Sequence, residues 1–192
     1  MNRHQHITAL ISEAIDTKAR LKETSVIKDI AYAASVIQSS VENGQKVFFA
    51  GNGGSFADAQ HLAAEFISRF KLERPALPAI ALGTNSSAVT AVGNDYEFKE
   101  IFSREIEALG NAGDTLVAIS TSGQSSNIIQ AVRTANQKQI NTIGLTGGDG
   151  GMLVHECRCI VAPAHKTERI QECHILIGHI ICEIVEASLC DS

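Results

Sequence analysis

Five short apolar runs, each followed by enough chain to build a helix, set the main constraint on what this sequence can fold into. They are residues 46–50 (KVFFA), 78–82 (PAIAL), 115–119 (TLVAI), 141–145 (NTIGL) and 158–162 (RCIVA). A run that is continuously apolar, and not alternating, belongs to a strand covered on both faces, and the helix-length spacers supply the cover. The expected fold class is α/β: a five-stranded parallel sheet, doubly wound in a flavodoxin-like order. Ligands of such sheets sit at the carboxyl ends of the strands, beside the switch point.

Helices frame this core. Residues 3–43 contain neither proline nor glycine, and Ile7, Leu10, Ile11, Ile15, then Ile27, Ile30, Ala34, Ile37 and Val41 recur at helical spacing. Two helices are predicted, broken near Glu23–Ser25 and stopped at Asn43–Gly44. At the other end a helix is predicted from about Thr167, as N-cap, to Ala187. It is apolar nearly all round after residue 173, so more than one side must be buried. Residues 1–192 thus read as a single domain, with a helical pair at 1–44 and an α/β core at 45–192 that ends in the long helix. The apolar stripes of the terminal helices predict subunit contacts and a homo-oligomer.

Composition narrows the function. The formal charge is −5 with no dense Lys/Arg run, so no nucleic-acid partner is expected. No 18-residue stretch is wholly apolar, which predicts no membrane span. The polar, partly acidic first 20 residues do not resemble a secretory leader, and a cytoplasmic location is expected. Five cysteines, 157, 159, 173, 182 and 190, crowd the C-terminal end. Their odd number argues against a disulfide framework, and they read as reduced thiols serving as small hydrophobes. Cys157 and Cys159 are expected on opposite faces of a strand.

Two of the strand ends run into loops of small polar residues that open helices. Strand end, loop and helix N-terminus together favour an anion. Gly51-Asn52-Gly53-Gly54-Ser55 lets the backbone approach a ligand closely, with Ser55 as expected N-cap. It has neither the Lys-Ser/Thr of a P-loop nor the spacing of a dinucleotide site, and tight turns need glycine in any case. Ser120-Thr121-Ser122-Gly123-Gln124-Ser125-Ser126 places five hydroxyls in seven residues, more than helix capping needs. Such a loop offers a phosphate several neutral donors and no cation. The helix after the glycine loop carries His61 and Glu65 at i, i+4, on one face. That pair is either a surface pair or a metal-binding or proton-transferring one, and its place beyond a ligand loop favours the second. Gln171, His174 and His179 lie on the last helix. Eight residues separate Gln171 from His179, about 12 Å of rise and about 80° of turn. If both serve one site, either their side chains lean together or different subunits contribute them.

Four motifs now combine: AGNGGSxADAQHxAAE, VGND at 92–95, ISTSGxSxN at 119–127 and RIQExHxxxxH at 169–179. Their combination, in order and over nearly the whole chain, closely resembles phosphoheptose isomerase, the sedoheptulose 7-phosphate isomerase branch of the sugar isomerase (SIS) domain proteins. The resemblance implies a homotetrameric cytoplasmic enzyme. Its reaction converts D-sedoheptulose 7-phosphate into D-glycero-D-manno-heptose 7-phosphate, at the start of heptose synthesis for lipopolysaccharide core or other surface glycans. By position, His61, Glu65, Gln171 and His179 match the family's zinc-site residues, and Glu65 and His179 its acid/base pair. Asn52, Gly53, Gly54, Ser55, Glu65, Asn94, Asp95, Ser120, Thr121, Ser122, Ser125 and Gln171 match its substrate-binding positions. His165 and His174 have no catalytic counterpart. Residues 73–82 (ERPALPAIAL) look as much like non-catalytic tetrameric relatives that bind the bacterial replication initiator. Retention of all four polar site residues separates this chain from them. An isomerase of another phosphosugar is the remaining alternative.

Overall fold

Each strand of the computed structural model, which describes residues 2–190, stands within two residues of its predicted run. The strands are β1 (Val47–Gly51), β2 (Ala79–Ala81), β3 (Thr115–Ile119), β4 (Asn141–Gly147) and β5 (Arg158–Ala162). All pair in parallel, in the order β2-β1-β3-β4-β5, with Val47 opposite both Ala79 and Thr115. The chain reverses direction across the sheet between β1 and β3, so the loops leaving these two strands emerge at the switch point. Those are the glycine loop and the serine loop.

Side chains alternate across the sheet. Val47, Phe49, Val117 and Ile119 face α2 (Thr24–Glu42), α3 (Gly54–Ile67) and α7 (Thr167–Cys190). Phe48, Ala50, Leu116 and Ala118 face α5 (Ile101–Leu109) and α6 (Ser126–Gln137) on the other side. The break between α1 (Arg3–Ala19) and α2 is a single 3-10 turn, Arg20–Lys22, slightly earlier than predicted, because the side chain of Leu21 turns inward and is buried there. Gly44 ends α2 at φ +73°, as its sequence position predicted.

Three local expectations are corrected. Ile170 N–H donates to Lys166 C=O, so Lys166 takes the capping position and Thr167 is the first helical residue. Gly53, at φ +55°, caps α3, and Ser55 lies buried inside its first turn. The helix α7 proves long and apolar enough to cross a bilayer by length and composition. Glu183 and Glu186 interrupt its apolar C-terminal part in the sequence. Nearly half of that span is buried, with Ile170, Cys173, Ile177, Ile181 and Val185 packed on the sheet, so it is the fold's central helix.

One buried carboxylate ties the end of α7 to the chain leaving α3. Glu186 accepts from the N–H groups of Phe70, Lys71 and Leu72 and from Arg74 Nε at 3.0 Å. Burial alone would raise the Glu186 pKa, but those backbone donors and Arg74 hold it below the usual carboxylate value. Arg74 in turn donates to the carbonyls of Glu65 and Phe66, closing the C-terminal turn of α3. Replacing Glu186 with Ala leaves a buried guanidinium unpaired. The expected loss is about 3–5 kcal/mol, measured as a lowered urea midpoint; a loss under about 1 kcal/mol would show the clamp to be dispensable.

His174 is fully buried on α7, its Nε2 donating to the Thr146 carbonyl at 3.1 Å. Burial pushes its pKa down to about 4 from 6.5. Above pH 6.5 folded and unfolded chains are both neutral at this site. As pH falls to 4 only the unfolded chain gains a proton, and stability falls by about 3 kcal/mol. The pH dependence of the urea midpoint should lose that component in His174→Asn; an unchanged slope would exclude it.

Candidate active site

The helices α3 and α7 run parallel on one face of the sheet, both starting near the strands' carboxyl ends. Their contacts step along both helices together. Gln171 packs at Gly54, where a β-carbon would collide with its amide. Two turns on, Gly178 packs at Leu62, where a β-carbon would stand 2.5 Å from Leu62 Cδ2. That close approach brings the next side chain, His179, against His61. Their ring centroids lie 5.0 Å apart, nearly edge to face, with Nε2 to Nε2 at 3.5 Å. His61 Nε2 lies 3.0 Å from Glu65 Oε1. Phe70 covers the other side of the His179 ring at 5.4 Å.

One ligand atom each from His61, Glu65 and His179 falls within 4.8 Å of the others. Two imidazole nitrogens bound to one zinc, each at about 2.0–2.1 Å, stand about 3.4 Å apart at the tetrahedral angle. The 3.5 Å separation found here fits that ion. Gln171 of the same protomer is at the other end of the helix pair, beside the glycine loop. All seven intervening residues are helical, so no lean of side chains removes the axial separation.

Asp58, one turn before His61, was missed in the sequence although it lies inside the ADAQH motif. Its Oδ2 is buried with no hydrogen-bond partner. Burial raises its pKa, while the fields of His61 and His179 lower it. A carboxylate one turn from a predicted ligand was the available signal.

The two loops meet through a reciprocal amide pair: Asn52 and Asn127 each donate Nδ2–H to the other's Oδ1 at 2.9 Å. Asn127 opens α6 and thereby fixes the serine loop beside the glycine loop. Ser125 occupies the N-cap position of α6, yet its hydroxyl makes no capping bond and accepts from Ser120 Oγ at 3.1 Å. Thr121 is half-buried and Ser122 exposed. The hydroxyl count thus reflects a polar surface at the strand ends and not helix capping. Behind it, Gly147 N–H donates to Thr121 C=O and Leu153 N–H to Gly123 C=O, so the loop after β4 braces the serine loop from below.

A cavity of about 200 Å³ opens beside Asn52 and Gly53, lined by Phe56, Gly83, Val89, Phe98 and Phe102. It is mainly apolar and does not reach the His61–Glu65–His179 cluster. Asn94 and Asp95 end α4 (Ser86–Asp95), both exposed and hydrogen-bonded to each other at 2.8 Å. Beyond that bond, neither side chain is hydrogen-bonded to another predicted site residue among the described residues.

The arrangement offers a carboxylate and an imidazole for proton transfer, a metal-compatible cluster and a loop of neutral donors for an anion. Comparisons with known proteins agree with it. The SIS domain profile matches residues 10–147. A phosphoheptose isomerase of Roseiflexus sp. is 49% identical over 180 residues, covering 93% of this chain and 91% of that one. That of Clostridium acetobutylicum is 48% identical over 185 residues, covering 95% and 94%. Solved phosphoheptose isomerase structures from Neisseria gonorrhoeae and Francisella tularensis superpose with TM-scores of 0.90 and 0.93, each at 39% identity and over 97% of this chain and all of the other. This chain belongs to the phosphoheptose isomerase family of SIS-domain proteins.

Proposed function

We propose that this enzyme interconverts D-sedoheptulose 7-phosphate and D-glycero-D-manno-heptose 7-phosphate, supplying heptose for lipopolysaccharide core or another surface glycan in the cytoplasm. The observation that carries the reading is the Glu65 carboxylate set 3.0 Å from His61, with His179 alongside, on a helix that starts at the glycine loop. Ketose–aldose isomerisation moves a proton between C1 and C2 through an enediol. Glu65 acts as base: one oxygen is held by His61 and the other is left for the substrate carbon. His179 serves as acid toward the sugar oxygens. The hydroxyls of Ser120, Thr121, Ser122 and Ser125, with the amides opening α6, take the 7-phosphate. Asn52, Gly53, Gly54, Ser55, Asn94, Asp95 and Gln171 complete the substrate contacts.

Zinc would fit His61, Glu65 and His179 in place of the His61–Glu65 hydrogen bond, and would supply there a Lewis acid that polarises the sugar carbonyl and hydroxyl. Its further ligand is Gln171 from a neighbouring copy, which accords with a homotetramer. The exposed stripe of Ile7, Leu10, Ile11 and Ile15 on α1 supports that assembly. Within the segment that resembles initiator-binding relatives, Arg74 is buried in the Glu186 clamp.

Incubation of the purified protein with sedoheptulose 7-phosphate, followed by NMR, should show the aldoheptose phosphate. Glu65→Gln should lower turnover by about 10²–10⁴-fold while inorganic phosphate still binds. Near-parent turnover in that variant overturns the base assignment, and no conversion by the parent with zinc supplied overturns the reaction.

Asp58→Asn removes a partly buried carboxylate whose Oδ2 has no hydrogen bond and which sits in the field of two imidazoles. It should unfold at or above the parent's temperature yet lose at least about tenfold in turnover or zinc affinity. Full activity with a lowered unfolding temperature would make Asp58 a structural residue.

A further inference from the structure

Cys157 and Cys159 converge on one side of the sheet edge, where i and i+2 side chains of an extended chain must lie. The expectation of opposite faces is therefore corrected, and their Sγ atoms stand 3.8 Å apart. Between them Arg158 points the other way, donating to Asp29 at 2.8 Å and covering the Tyr32 ring at 3.9 Å on α2. The thiols share a recess that exists because Gly144 on β4 has no side chain. A β-carbon there would land on Cys159 Sγ and stand 3.2 Å from Cys157 Sγ. Both cysteines are half-buried and pack against the edge of the α5–α6 core.

We propose that Cys157 and Cys159 form a reactive dithiol that exchanges with low-molecular-weight disulfides and closes an intrachain C-x-C disulfide. The Cys157 thiol hydrogen-bonds to Cys159, which holds the Cys159 pKa below its usual value; burial, Asp29 and a smaller contribution from the Gly144 backbone modify that effect. The same hydrogen bond, with burial and neighbouring Glu156, raises Cys157. Cys159 is assigned as the attacking thiolate and Cys157 as the resolving thiol, an order that the two serine variants below decide. Cys159 attacks one sulfur of the small disulfide, whose S–S bond breaks and releases one thiolate that takes up a proton. Cys157 then gives up its proton and attacks Cys159 Sγ, expelling the second small thiol. The protein loses two electrons and two protons, and the small disulfide is reduced to two thiols. The sulfurs need to close from 3.8 Å to about 2.05 Å.

The other three cysteines serve as internal controls. Cys173 and Cys182 are buried, and burial pushes the Cys182 thiol up to about 12. Cys190 is exposed and solitary. The folded protein is treated with oxidised glutathione, alkylated and digested with trypsin, which cuts after Arg158 and so separates the two thiols. Peptides 139–158 and 159–166 should be recovered joined, two hydrogen masses lighter than their sum, and parted by reductant. Cys157→Ser should retain glutathione on Cys159, whereas Cys159→Ser should react at Cys157 more slowly by at least about tenfold. Recovery of both peptides alkylated, with glutathione on Cys190 alone, overturns the proposal. Equal rates in the two variants overturn the assignment of the attacking thiol.

Discussion

Everything at the candidate site depends on how closely α3 and α7 approach. The contact of Gly178 with Leu62 sets that distance, one residue before His179 and one after His61. A side chain at 178 would push the helices apart and separate the imidazoles. Gln171 against Gly54 repeats the device at the loop end, so small residues on alternate partners hold the pair in register. The Glu186–Arg74 clamp then fastens the far end. Its buried ion pair contributes through geometry, since it joins the last turn of α7 to the last turn of α3 by named donors and acceptors.

The sheet was legible in the sequence because a strand covered on both faces has no polar residues to interrupt it, and β1 and β3 are buried throughout. The serine loop was legible for the opposite reason, since hydroxyls concentrated there exceed what local structure consumes. Helix ends were read less well. Ser55 and Thr167 are good capping residues by type, but Gly53 alone accepts the φ of +55° that the turn demands, and the Lys166 carbonyl takes the first bond of α7. Gln171 and His179 share a helix and a motif, yet eight residues of rise assign them to opposite ends of the α3–α7 pair. Motif order carries no information on that separation. Asp58 was overlooked because its significance lies in what surrounds it, a buried orphan oxygen near two imidazoles, and not in its spacing alone.

The interior tolerates a few unsatisfied polar atoms. Thr146 Oγ1, His174 Nδ1 and Asp58 Oδ2 are all buried without partners among the described residues. Each such group costs free energy in an apolar core. His174 avoids part of that cost by remaining neutral, held by the Thr146 carbonyl at the end of β4 that leads into the loop bracing the serine turn. Asp58 Oδ2 has no such partner, although the residue is only partly buried and the fields of His61 and His179 offset part of the cost of its charge.

Residues 119–128 include no lysine or arginine, so an anion in the serine loop meets hydroxyl and amide dipoles only. Dissolved salt screens the field between monopoles over a Debye length, about 8 Å at physiological strength. A dipole's influence fades well inside that distance. Recognition in such a loop is therefore a matter of contact and fit: it attracts little from afar, and added electrolyte takes little of it away.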